Sequence, residues 1–193
     1  MRHGTARGLA WLALVAILGG CASYTLVKPK RHEIAGTYSV ETRIAWNKAS
    51  SGPIELWTVD GPRLESIQFW KGLKDGKPLF EPKRGANKKP PPPAFAAAMT
   101  ANDVMELVVD SLSRAGAAKI NASNLRPFDF GSEPGFRFDL AGVNKDGLEI
   151  NGLASGAIID KKLYLVLYSG ARANYLPKYR KEAEHIMGSI EVL

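Results

Sequence analysis

The residues in this 193-residue chain whose types could do chemistry are one cysteine, three histidines and a scatter of carboxylates. A nucleophile needs a base within hydrogen-bond reach, and a metal needs ligands at workable spacing. His3 and His32 precede the patterned part of the chain, and His185, with Glu182 and Glu184 beside it, reads as part of a solvated helical face. Asp139, Glu149 and Asp160 flank predicted turns, but a calcium loop needs several oxygens packed around a glycine, so they read as surface carboxylates. No Gly-x-Ser-x-Gly, His-Glu-x-x-His or phosphate loop occurs. Gly152-x-x-x-Gly156 lacks the preceding Gly-x-Gly of a dinucleotide fingerprint. The expectation is a chain with no catalytic set, no metal and no cofactor.

Cys21 is different because of what precedes it. Arg2 and Arg7 lead into an uninterrupted run from Leu9 to Gly20 of Leu, Ala, Trp, Val, Ile and Gly. A basic start followed by such a run has the shape of a secretory leader. Spanning the hydrocarbon of a bilayer takes about 20 residues, so this run is too short for a stable transmembrane helix.

The run ends in Leu18-Gly19-Gly20-Cys21, which resembles the lipobox of bacterial lipoproteins: an aliphatic residue, two small residues, then the cysteine. A membrane peptidase needs small side chains beside the scissile bond, and only a thiol forms the thioether to diacylglycerol. The lone cysteine stands at the position this pattern requires. The resemblance implies a signal peptide over 1–20 recognised at Leu18, Gly19 and Gly20. It also implies a mature chain starting at Cys21, with diacylglycerol on sulfur and an acyl chain on the new amino terminus. Two chains already anchor stably and three make release negligible. Ala22, standing where Asp would retain the protein at the inner membrane, implies the inner leaflet of the outer membrane, facing the periplasm.

Removing residues 1–20 takes away Arg2 and Arg7, leaving 173 residues and lowering the formal charge from +7 by two, to +5. Excess cation suits anionic neighbours. Residues 21–37 show no sustained period and read as a lipidated tether, about 15 residues of which would reach ~50 Å. Lys28, Lys30 and Arg31 in it would feel an anionic leaflet or simply be solvated.

With 45% apolar and 23% charged residues, the remainder has material for one core, and 38–193 reads as a single globular domain. A single cysteine excludes an internal disulfide and any multi-cysteine metal site. Alternation from Tyr38 to Trp46 predicts a strand, followed by strands over 54–59 and 64–70 and a Lys74–Lys77 turn into 78–80. Lys83, Arg84, Lys88 and Lys89 precede four prolines, so about 82–95 reads as an extended surface loop. It could recruit a partner such as an envelope protein or peptidoglycan's carboxylates, or be a solvated excursion.

Thr100 with Asp103 predicts a capping box, and Val104, Met105, Val108, Leu112 and Ala115 the stripe of a helix ending at Gly116. Strands follow over 118–126, 135–143, 148–159 and 163–169. A second helix over 175–187 buries Tyr179, Ala183 and Ile186, and 189–193 closes as a strand. Gly152, Ala154 and Gly156 share one strand face, where helix packing explains the small residues. The fold class is α+β, an antiparallel sheet with two main helices packed on it.

This order of elements resembles the PsbP-like fold. The local likeness lies in Leu163 to Gly170, followed by Tyr175, Tyr179 and Ser189-Ile190. The resemblance implies binding or scaffolding by analogy only. Trp46, Trp57, Trp70, Phe128, Phe130, Phe136 and Phe138 stand among Arg43, Arg63, Lys71, Arg126 and Arg137, a mixture that can bind single-stranded nucleic acid. Export removes that partner, and aromatics on alternating strands are core, so no nucleic acid is expected. The sequence thus points to a non-enzymatic, membrane-anchored envelope lipoprotein that binds or scaffolds. The alternatives are a carrier of a small apolar ligand or lipid, and an envelope hydrolase.

Overall fold

The computed structural model describes residues 24–81 and 90–193. Strands β1 (Thr25–Val27), β2 (Lys30–Ile34), β3 (Tyr38–Thr42), β4 (Trp46–Ser51), β5 (Ile54–Thr58) and β6 (Glu65–Lys74) precede helix α1 (Ala101–Arg114). Then come β7 (Ala118–Pro127), β8 (Phe136–Val143), β9 (Glu149–Ile159), β10 (Lys162–Ala171), helix α2 (Tyr175–Gly188) and β11 (Glu191–Val192).

Two sheets result, both antiparallel: an eight-stranded one in the order β1-β4-β5-β6-β10-β9-β8-β7 and a three-stranded one in the order β11-β3-β2. The aliphatic run of β10 explains the layering. Val166 and Tyr168 face one side while Leu165 and Leu167 face the other, and all four are buried, so the central strands are covered on both faces. On one face α1 packs Val104, Leu107 and Val108 against Trp70, Phe138 and Leu165. On the other, α2 and the small sheet pack Ala183, Ile186, Tyr38 and Val40 against Ile67, Phe69 and Val166. The predicted α+β class with two helices on an antiparallel sheet is what the chain adopts, with the helices on opposite faces.

The capping box forms as the spacing predicts. Thr100 Oγ1 accepts from the Asp103 amide, and Asp103 Oδ2 accepts from the Thr100 amide at 2.8 Å. Between β9 and β10, Asp160 and Lys161 both have positive φ, as a tight two-residue hairpin turn demands.

Several expectations are corrected. Residues 25–34 are not tether. Val27 and Ile34 are buried, Val27 pairs in register with Trp46, and β2 runs along β3, while the charged residues between occupy the exposed positions of short edge strands. From Cys21 to the first strand is four residues, about 13 Å of chain and not ~50 Å. The single strand predicted from Tyr38 to Trp46 divides at Arg43–Ala45, because β3 belongs to the small sheet and β4 to the large one. Among the described residues the segment 78–80 pairs only through a Pro78–Ala94 bridge, and Phe95, placed in the surface loop by its prolines, is 1% exposed. Gly152 and Gly156 are small for neighbouring backbone and not for a helix. A Cβ on Gly156 would meet the Tyr164 carbonyl oxygen at 2.7 Å, and one on Gly152 would collide with the Tyr168 carbonyl.

Candidate functional site

α2 is fastened along both flanks by charge. On one flank Glu182, predicted to be solvated, is buried. Its Oε1 accepts from the Arg43 amide at 2.7 Å and the Thr42 hydroxyl at 3.0 Å, and its Oε2 accepts from Arg43 Nε at 3.0 Å. Thr42 Oγ1 in turn accepts from the Trp46 indole, so the carboxylate organises the β3–β4 corner. Next to it Tyr179 donates to Asp60 Oδ2 at 2.6 Å and Lys178 to the same oxygen at 3.0 Å. These two donors hold the Asp60 carboxyl below its ordinary range.

The other flank carries the densest polar cluster. Arg137 on β8 is buried, its guanidinium 5.2 Å above the Phe128 ring and its Nη2 3.3 Å from Glu184 Oε1. Arg180 donates its Nε to the same oxygen at 3.0 Å. Asp139 Oδ1 lies 3.9 Å from both Arg126 and Arg180, and Asn124 donates to its Oδ2 at 2.8 Å. Arg126 and Arg137 are direct partners across β7–β8, an arrangement like charges disfavour unless counter-charges intervene. Burial lowers the Arg137 pKa, and its Nε has no hydrogen-bond partner. Beside the cluster an open groove is lined by Pro127, Phe128, Asp129, Gly131, Gly188 and Ile190.

Three guanidiniums here share Asp139 and Glu184, and Asp129 lines the groove beside them, so cations and carboxylates balance at this flank. It holds no nucleophile next to a base.

No protein-family model matches the chain. No curated protein matches it either. Among solved structures it is similar to cyanobacterial PsbP (CyanoP) from Synechocystis sp. PCC 6803, at 16% identity over 96% of this chain and 99% of that one, with a TM-score of 0.56. The fold is PsbP-like. The Ran-binding protein Mog1p from Saccharomyces cerevisiae is more distant, at 9% identity over 89% of this chain and 96% of that one, with a TM-score of 0.48. Identities this low speak to the PsbP-like backbone and leave function to the residues themselves.

Leu18, Gly19, Gly20 and Cys21, and the loop cations Lys83, Arg84, Lys88 and Lys89, lie outside the described residues. Among the described residues His185 Nε2 is buried without a partner, and no carboxylate hydrogen-bonds it. Of the three carboxylates weighed for calcium, Asp139 joins the arginine cluster, Glu149 pairs with Arg172 at 3.2 Å and Asp160 stands in the hairpin turn. Among the described residues no cluster of His, Cys, Asp and Glu is arranged to hold a metal. The tryptophans Trp46, Trp57 and Trp70 and the phenylalanines Phe130 and Phe138 are fully buried, as expected for core.

Sequence reasoning missed Arg137, Glu182, Glu55 and Glu65, all buried. The alternation Phe136-Arg137-Phe138-Asp139-Leu140 reads as a strand with one wet face. The unbroken apolar run of β10, which needs a sheet covered on both sides, was the signal that Arg137 would face a second layer.

Proposed function

We propose that this protein is a bacterial envelope lipoprotein that works as a non-catalytic binding or scaffolding module, held by acylated Cys21 to the outer membrane and facing the periplasm. The observation that carries the proposal is the placement of the only cysteine: it directly follows Leu18-Gly19-Gly20 at the end of a twelve-residue apolar run behind Arg2 and Arg7. A thiol there accepts diacylglycerol, and peptidase cleavage frees its amine for a further chain.

The binding role is supported by charge. The mature chain keeps a net +5, which suits an acidic envelope component. The loop cations Lys83, Arg84, Lys88 and Lys89 are the candidate surface for that class of partner. The carrier alternative needs an apolar hollow, and the pocket beside α1, lined by Leu112, Ile120, Leu140 and Leu167 together with the polar Gln68, Asn151 and Ser169, measures about 40 Å³, room for water and not for a lipid chain.

Replacing Cys21 with Ala tests the anchor. The variant is expected to accumulate as unprocessed precursor and to lose the membrane partition of the native protein. Normal maturation and identical fractionation would sink the proposal.

A further inference from the structure

The direction of β1 determines which end of the fold meets a membrane. β1 runs antiparallel to β4 with Thr25 opposite Lys48, so the chain before it heads toward the β4–β5 turn. That end of the sheet continues through Ile54 opposite Trp70 to the last residues of β6 and the β9–β10 turn. Only two residues, Ala22 and Ser23, separate Cys21 from Tyr24, so the two lie within about 10 Å of fully extended chain.

The same end carries an excess of positive charge. Lys74 and Lys162 are direct cross-strand partners, and both are exposed. Like charges placed opposite one another weaken a sheet. Lys77 and Lys161 are exposed next to them, and among the described residues none of the four lysines makes an ion pair. Two carboxylates stand there as well. Asp75, whose Oδ1 accepts from the Ala97 amide at 2.7 Å, and Asp160 set two anions against four cations, so the end keeps a net positive charge. On the outer edge of the sheet Tyr24 and Leu26, two apart in extended chain, are 45% and 59% exposed. An aromatic with a polar tip and an aliphatic beside lysines is the composition of a membrane-interface contact.

We propose that Lys74, Lys77, Lys161 and Lys162 form a rim that rests on an anionic lipid surface, with Tyr24 and Leu26 at the headgroup level. The proposal rests on the acylation of Cys21, which keeps this end within reach of the leaflet. It sets the orientation: the rim faces lipid, and the Lys145–Gly147 turn at the opposite end of the sheet points away.

The test uses the mature acylated protein, its mass verified, in vesicles of phosphatidylethanolamine and phosphatidylglycerol doped with a nickel-chelating lipid. Acylation caps Cys21, so a new cysteine can be spin-labelled alone. A label at Lys77→Cys is expected to relax several-fold faster than one at Lys145→Cys. Adding Lys74→Gln, Lys161→Gln and Lys162→Gln is expected to bring the first label close to the second. Equal relaxation of the two labels on an acylated protein overturns the rim, as does a ratio that the glutamines leave unchanged. Dipolar broadening between labels at Lys77 would show two copies meeting there and would overturn it too. A mass without acyl chains counts against the anchor instead.

Discussion

Glu182 of α2 accepts a hydrogen bond from the backbone amide of Arg43 at 2.7 Å, across 139 residues of sequence. The carboxylate replaces the ladder bonds that the chain gives up where it leaves the small sheet for the large one. Truncating it strands the Arg43 amide and the Thr42 hydroxyl. Hydrogen bonds to charged groups contribute about 1.5–3 kcal/mol, and half-exposed Arg43 recovers water, so Glu182→Ala is expected to cost about 2–3 kcal/mol. At about 2–4 °C per kcal/mol for a chain this size, the melting temperature falls by about 4–12 °C. Glu182→Gln, which keeps an acceptor, loses less. Calorimetry on the three proteins decides, and a Glu182→Ala protein that melts with the wild type contradicts the account.

Glu65 gives a pH signature. Its Oε1 accepts from the Thr58 hydroxyl at 2.7 Å and from the Val59 and Asp60 amides, while Oε2 is buried without a partner. Burial outweighs these donors and raises its pKa above the ordinary 4.5. The folded protein therefore holds this proton more tightly than the unfolded chain does. The contribution is fully present below pH 4.5 and is lost as pH rises through the raised value. Glu65→Gln, with an amide in place of the orphan oxygen, is expected to flatten that decline and to match or exceed the wild type at pH 8. Melting curves parallel to the wild type at every pH would refute this.

Gly152 tests the packing of β9 on β10. A Cβ there collides with the Tyr168 carbonyl oxygen, so the strand must shift. Overpacking of this kind costs about 1–3 kcal/mol, and Gly152→Ala should show it in urea unfolding. An unchanged midpoint would mean that the backbones separate freely.

The loop cations are expected to act outside the core. Changing Lys83, Arg84, Lys88 and Lys89 to Gln should weaken retention by isolated peptidoglycan or by a partner, while leaving the melting temperature within about 1 °C. Retention equal to that of the wild type returns the loop to a solvated excursion.

Local rules were legible where the partner lay close in sequence. Thr100 and Asp103 announce α1 because both halves of the cap are three residues apart, and the Asp160–Lys161 turn announces its hairpin for the same reason. The division at Arg43 and the strand character of Thr25–Val27 were not legible, since their partners are Glu182 and Trp46, far along the chain. The burial of Arg137 was not legible for a related reason: alternation tells which residues share a face, and whether a second layer covers that face is decided by α2.

Intact-mass analysis of the protein purified from its own host membranes addresses the central claim most directly. The account predicts a chain beginning at Cys21, heavier than its sequence by a diacylglyceryl group and an amide-linked acyl chain. A chain that keeps Met1 and carries no lipid would contradict it.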